Sequence, residues 1–373
     1  MIAEGETGLP RHVLMTADAV GGVWTYAVDV ANGLFERGIR VTIAILGPSP
    51  DMAQRMSVER TGLALVEAGM PLDWADDATP DSLAAAGARL AALARELGAD
   101  LLHLNAPMLA ADAVFAVPVV GVCHSCVATW WDAVRGGKLP EMFEWRAERL
   151  GRAYRRCDLL VSPSRAFASA TRARYGVPVT TVLNGRSASA HRSADRRSVA
   201  MTSGRLWDEG KGIATLDAAA GRMHHKIEAA GAVRGPHGTS IETRHLGHLG
   251  HLPGAVLADR LAASRVYVSA ARYEPFGLGV LEAAQAGCAL VLSDIPTFRE
   301  LWAGAAVFVD PLDETAFADT LDDLLDDPGR SAELGAAAAQ RAKRYGLETM
   351  VDGTLDAYRH ALRSSGRGRG AAA

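Results

Sequence analysis

The stretch SRVYVSAARYEPFGLGVLEAAQAGCALVLSD, residues 264–294, reads as a strand, a loop, a helix and a second strand. SRVYVSAA (264–271) and CALVLSD (288–294) are short apolar runs, and GVLEAAQAG (279–287) is a helix-forming run that stops on glycine. A strand, a helix and another strand in such short compass imply a parallel crossover. The loop RYEPFGLG carries Glu274 ahead of a Pro-Phe-Gly-Leu-Gly turn, and Glu282 follows inside the helix with seven residues between the two acids. Gly277 and Gly279 let the backbone approach a ligand closely, and the free N–H groups of the helix start face an anion. Glu282 falls roughly 6–8 Å along the helix axis at about 1.5 Å per residue. The result is a carboxylate, an anion cradle and a second carboxylate in sequence. A nucleoside diphosphate sugar has matching parts: a hydroxyl-rich sugar, two phosphates and a ribose diol.

The same alternation extends in both directions. Apolar strands are expected at 12–17, 39–46, 100–105, 117–124 and 158–164, with helices at 24–37 and 81–97. The polar run NGRSASAHRSADRR (184–197) breaks the pattern and reads as a linker at 185–197. Beyond it come a strand in SVAMTSGRL, a helix in GIATLDAAAGRM, the strands already quoted and AAVFVDP, then helices at 314–325 and 347–362. The fold class is therefore α/β, with two Rossmann-like doubly wound domains, 1–184 and 198–346, facing across a cleft. The closing helix is set at 347–363, and the tail 364–373, rich in Gly, Arg and Ala, reads as disordered.

A chain of 373 residues exceeds one ordinary core, in keeping with two domains. Hydrophobic residues make up 49% and charged residues 22%, as in soluble globular proteins. A net charge of −4 gives no overall basic balance and no pointer to nucleic acid. Cys123, Cys126, Cys157 and Cys288 are too few for a disulfide framework and suit a reducing cytoplasm. The N-terminus lacks the pattern of a signal peptide, and the most apolar region, 108–122, is interrupted by Asp112 and Pro118. The expected location is cytoplasmic, with peripheral attachment at the inner face of the membrane left open.

The segment E-P-F-G-L-G-V-L-E resembles the Glu-x7-Glu signature of retaining glycosyltransferases of the family 4 type, which have the GT-B fold. The resemblance implies that Glu274 binds hydroxyls of the transferred sugar and Glu282 the ribose hydroxyls. It also implies that the amides around Gly277, Leu278 and Gly279 hold sugar and phosphate oxygens. SGRLWDEGKG (203–212) is similar to the family's Gly-Arg-Leu…Lys-Gly segment, placing Arg205 and Lys211 against the diphosphate, where two cations neutralise the charge of the leaving nucleotide. AVGGVW (19–24) resembles the family's Gly-Gly-Val loop, with Gly22 near the donor. His124 ends VPVVGVCH where the family has a His near the anomeric carbon, often followed by Asp; Ser125 stands here instead. The last helix, by the same resemblance, crosses back to the first domain. The implied substrates are a nucleotide sugar and a hydroxyl acceptor (a glycan, a lipid-linked glycan or a small molecule), in cell-envelope or exopolysaccharide synthesis.

Other constellations weigh less. Cys123-His124-Ser125-Cys126 has no second Cys pair, and His245, His248 and His251 recur every third residue with no Cys nearby, so no metal is expected at either. No Asp-x-Asp occurs, consistent with a transferase whose cations are side chains, needing no cofactor beyond the donor substrate. Trp130, Trp131 and Trp145 accompany a basic helix with Arg146, Arg149, Arg152, Arg155 and Arg156. It reads first as a packing helix with a solvated Arg face, and second as a patch for anionic lipid or glycan. A paired-carboxylate glycosidase leaves the cations unexplained. A nicotinamide oxidoreductase requires the glycine fingerprint, whose spacing AVGGVW lacks, and a ribose-binding acid after strand two, which instead leads into GPSP. A non-catalytic sugar-nucleotide binder stays open, as do the base, the sugar, the acceptor and the oligomeric state.

Overall fold

The computed structural model describes residues 8–187, 195–235 and 238–370. The chain divides into two compact units: Met1–Thr129 with Lys138–Asn184 and Leu347–Ala373, and Trp130–Gly137 with Gly185–Gly346.

The first unit holds a seven-stranded sheet. Its strands are β1 (His12–Asp18), β2 (Arg40–Leu46), β3 (Ala64–Met70), β4 (Leu101–Leu104), β5 (Val119–Val122), β6 (Leu159–Ser162) and β7 (Thr180–Thr181). They run in the order β3-β2-β1-β4-β5-β6-β7, and every pair is parallel. Strand β1 is apolar and buried through Ala17, as a strand covered on both faces must be. One face packs against helix Gly22–Glu36, which buries Trp24, Ala27, Val30, Ala31 and Leu34 at helical spacing. Helix Leu347–Gly370 joins the same core through Met350, Val351, Leu355, Tyr358 and Ala361.

The second unit repeats the plan with six strands: β8 (Arg197–Ser203), β9 (Lys226–Ala230), β10 (Gly247–Gly250), β11 (Ser264–Ser269), β12 (Ala289–Ser293) and β13 (Val307–Val309). Their order is β10-β9-β8-β11-β12-β13, again all parallel. Both sheets are therefore doubly wound, and each reverses its winding once: between β1 and β4 in the first unit, between β8 and β11 in the second. Ligands of such sheets bind beyond the carboxyl ends of the strands at that reversal.

Some elements have no counterpart in the sequence reading. Strands β3, β9 and β10 and helices Met52–Glu59, Gly254–Ala263 and Pro328–Ala342 are additional. Helix Leu347–Gly370 continues through seven residues of the expected tail, since extending a formed helix costs far less than starting one. Residues 188–194 of the expected linker lie outside the described residues. Its first part is fastened to the second unit, where the Arg186 N–H donates to Tyr345 O at 3.1 Å and Gln285 Nε2 donates to Arg186 O at 3.2 Å.

The basic helix Glu141–Arg156 does not present all its arginines to water. Arg149 is buried and meets Asp112 at 2.6 Å, Arg146 donates to Ala75 O and stacks over Trp145, and Arg156 donates to Ala113 O. No helix among the described residues is long and apolar enough to cross a membrane.

Candidate active site

In the second unit the expected residues gather at the carboxyl ends of β8 and β11. The chain leaving β8 passes Arg205, forms a short turn at Glu209–Lys211 and enters helix Ile213–Ala220. The chain leaving β11 passes Glu274 and enters helix Leu278–Gln285. The two loops are tied by their backbones, since the N–H groups of Arg272 and Tyr273 both donate to Gly210 O, at 2.8 and 3.2 Å. That tie sets Lys211 beside Glu274, with Nζ 2.6 Å from Oε2. Neither residue is more than about a quarter exposed: 22% for Lys211 and 15% for Glu274. Arg205 is 3.1 Å from Asp208 and lies over the Trp207 ring, yet stays half exposed. Both cations expected at a diphosphate are thus oriented by neighbouring carboxylates.

The Pro-Phe-Gly-Leu-Gly turn is built around two glycines. Gly277 caps helix Leu278–Gln285 at φ 92°, a left-handed conformation that side chains disfavour. Gly279 stands against Tyr267 of β11, and a Cβ there would come within 2.8 Å of the Tyr267 hydroxyl and 3.0 Å of Ser203 Oγ. Those two hydroxyls are 3.1 Å apart. The phenol is held protonated well above its usual range, first by burial and then also by the nearby Glu274 and Glu282 carboxylates. Glu282 meets Arg186 Nε at 3.1 Å.

The loop bearing the cations has a further support. Trp130 Nε1 donates to Asp208 Oδ1 at 3.0 Å, and Asp208 Oδ1 also accepts from the Gly210 N–H at 2.9 Å. Arg135 pairs with Glu209 at 2.5 Å, and Arg272 donates to Val134 O. Trp130 accordingly buttresses this loop rather than a basic patch on helix Glu141–Arg156. Beyond β9 and β10 lies a hollow of about 430 Å³ lined by Gly231, Val233, Ile241, Glu242, Thr243, His248 and Gly250. His248 lines that hollow and bonds Thr243.

In the first unit, Gly22 is the first residue of helix Gly22–Glu36, and the position that demands glycine is its neighbour Gly21, at φ 83°. His124 follows β5, and its ring meets Tyr26 edge-on at 4.7 Å. Its tautomer follows from a chain of partners. Thr16 O can only accept, and Asn105 Nδ2 donates to it at 2.7 Å. Asn105 Oδ1 therefore faces His124 Nε2, 2.7 Å away, so that nitrogen carries the proton and Nδ1 is left as an acceptor. Burial, then the neighbouring His103, depresses the His124 pKa to about 3, keeping the ring neutral. His103 is itself fully buried, bonded through Nδ1 to Tyr358 at 2.7 Å, with its pKa down at about 4. Cys123 is a buried thiol pushed up to about 12, and Cys126 contacts Thr129 and Tyr175, so the C-x-x-C pair is packed into the fold.

Residues 20–189 match the family model described as Glycosyltransferase Family 4, and residues 241–341 match Glycosyl transferases group 1. The chain belongs to the family 4 type of GT-B glycosyltransferases. Among curated family relatives, the O-antigen chain mannosyltransferase B of Escherichia coli is 34% identical over 113 residues, 30% of this chain and 29% of its own length. A D-inositol 3-phosphate glycosyltransferase of Streptomyces avermitilis is 34% identical over 113 residues, 30% of this chain and 24% of its own. The chain thus matches less than a third of the length of these relatives. Among solved structures, sucrose-phosphate synthase from Thermosynechococcus elongatus superposes with a TM-score of 0.77 at 17% identity, covering 95% of this chain and all of that one. Anabaena HepE in complex with UDP-glucose gives 0.72 at 18% identity, covering 91% and 97%. These likenesses fix the GT-B fold.

The sequence reading missed Asn105, Tyr26, Tyr267, Ser203, Asp208 and Arg186. Asn105 alone carried a visible signal, a polar residue closing the apolar strand DLLHLN.

Proposed function

We propose that the protein transfers a sugar from a nucleoside diphosphate sugar to an acceptor hydroxyl with retention of anomeric configuration. The observation that carries the reading is the Lys211–Glu274 pair held at the winding reversal of the second sheet, directly before a glycine-capped helix start. Glu274 accepts hydrogen bonds from the sugar hydroxyls, and Lys211 and Arg205 neutralise the diphosphate as the C1–O bond breaks. Glu282, oriented by Arg186, holds the ribose diol. The acceptor oxygen bonds to C1 on the face the diphosphate leaves, and the acceptor proton passes to the departing phosphate oxygen. Side-chain cations supply the charge that a metal would otherwise bring. Acceptor recognition belongs to the first unit, where the neutral His124 offers Nδ1 to a hydroxyl donor.

The donor class gains support from the HepE structures, which were solved with UDP-glucose and with UDP and glucose. The O-antigen chain mannosyltransferase suits a hexosyl transfer in the synthesis of envelope or exopolysaccharide glycans, which we place in the cytoplasm. The test pairs two variants. Glu274→Ala should reduce transfer below detection while nucleotide affinity is kept. Glu282→Ala should weaken nucleotide binding about 10–100-fold, the equivalent of roughly one charge-assisted hydrogen bond or two. Full transfer by Glu274→Ala sinks the assignment.

A further inference from the structure

Away from the loops just described, the second unit gathers two imidazoles and two carboxylates at one point. His224 and His225 are consecutive in the turn between helix Ile213–Ala220 and β9. Asp322 and Asp326 are four residues apart on helix Glu314–Asp326, so both carboxylates leave the same face. Ligating atoms of His224, His225 and Asp322 all lie within 4.8 Å of one another. His224 Nδ1 is 2.9 Å from Asp322 Oδ2, and His224 Nε2 is 3.1 Å from Asp326 Oδ2. His225 Nε2 is 2.8 Å from Asp326 Oδ1, and the two imidazole centroids are 4.4 Å apart.

We propose that this cluster is a binding site for a divalent transition-metal cation of the zinc class, ligated by one ring nitrogen each of His224 and His225 and by the Asp322 carboxylate, with Asp326 as the outer partner that orients the rings. A simple ion pair needs one ring and one carboxylate. His224 meets Asp322 through Nδ1 and Asp326 through Nε2, and a ring gives one ion only one nitrogen, so a cation on the Nδ1 side takes Asp322 while Asp326 holds the ring from its other edge, as outer-shell carboxylates do in histidine metal sites. The donor set decides the class of ion, because imidazole nitrogen with carboxylate oxygen suits Zn²⁺, Co²⁺ or Ni²⁺, whereas Mg²⁺ and Ca²⁺ take oxygen ligands. The spacing agrees with it. Ligands about 2.0–2.1 Å from a tetrahedral zinc stand about 3.3 Å from each other, and three protein ligands leave the fourth position to water. The 2.9 Å between His224 Nδ1 and Asp322 Oδ2 falls a few tenths short, which side-chain rotation supplies without backbone movement.

The supporting contacts are already in place. Both oxygens of Asp322 accept backbone N–H groups, from His224 at 3.2 Å and His225 at 3.3 Å, so the turn and the helix are registered to each other. His225 and Asp322 are largely covered and form the floor, while His224 and Asp326 are open to water and admit the ion. Bound metal would staple the turn before β9 to helix Glu314–Asp326, so the site is structural and its readout is stability. It is distinct from His245, His248 and His251, the histidines whose spacing drew attention in the sequence.

The test uses the full chain, free of any histidine tag and stripped with a chelator. Zn²⁺ titrated in a calorimeter should bind with one equivalent, and Zn²⁺, Co²⁺ and Ni²⁺ should raise Tm while Mg²⁺ and Ca²⁺ at the same concentration do not. Co²⁺ should show the intense visible bands of a tetrahedral nitrogen–oxygen site. His224→Ala and His225→Ala should each weaken Zn²⁺ at least about 10-fold, the lower end of what even outer partners of a metal site contribute. Stoichiometric Zn²⁺ binding that persists in the double variant overturns the proposal, and so does the absence of a Tm rise with all three metals. If the variants lose stability without metal, the wild-type Co²⁺ spectrum decides: octahedral bands alone reject the site.

Discussion

Lys211 and Glu274 share one short ion pair, and each also has a proposed role toward the donor, so their coupling and their functions separate by experiment. Because both are mostly covered, removing one partner strands the other charge, and Lys211→Ala and Glu274→Ala should not be additive in stability. A double-mutant cycle in urea should return a coupling of about 1–2 kcal/mol, and a value of zero would mean the pair is solvated like a surface contact. In activity, Lys211→Ala should lower kcat on the order of 10²–10³-fold, as expected for loss of a cation opposite developing negative charge. The two imidazoles of the first unit give a pH effect of determined sign. His103 and His124 stay neutral in the folded chain down to about 4 and about 3, whereas an unfolded chain protonates them near 6.5. The unfolded state therefore binds more protons below pH 6.5, and stability falls as pH drops through that point toward the folded values. At pH 5.5 the two groups together should cost about 2–3 kcal/mol relative to pH 8. Urea midpoints across that range, compared with His103→Phe, would check it, since the variant should lose about half of the slope.

At the scale of elements, the positions of the strands follow from both sheets winding outward from their first strand. This geometry brings Gly279 onto Tyr267. Gly279→Ala should destabilise the second unit by about 1–3 kcal/mol through overpacking, and Tyr267→Phe, which deletes the offending hydroxyl, should restore much of the loss. A thermal melt of the single and double variants reads this directly, and equal loss in both would place the strain elsewhere. The buried strands were legible because runs such as HVLMTA and CALVLSD are apolar throughout. Strand β10, GHLG, was not, since two glycines and one leucine carry no strand pattern and it exists through pairing with β9. Strand β3 alternates weakly at the edge of its sheet, where exposure hides the period. The two glutamates were legible because their spacing and the residues between them are local. Asn105 and Tyr267 act through neighbours brought close only by strand order, and no local pattern announces that.

At the scale of the molecule, the last helix lies in the core of the first unit although 162 residues of the second unit, Gly185–Gly346, precede it. Tyr358 is fully buried there and bonds His103, so Tyr358→Ala should cost about 3–5 kcal/mol, and a chain ending at Gly346 should fail to give a folded first unit. Circular dichroism and limited proteolysis of that truncation would check the expectation. The central claim, that the second unit holds the nucleoside diphosphate of a donor sugar through Glu282, Arg205 and Lys211, has a more direct test. Thermal shift with UDP, GDP, ADP, dTDP and NAD at matched concentrations compares the donor classes in one experiment. A ligand at about 100 times its Kd adds about 2.7 kcal/mol to the bound state, enough to move a melt visibly. The account predicts a rise with one nucleoside diphosphate, no rise with NAD, and a rise cut to about half or less in Glu282→Ala; a rise with NAD alone would contradict it.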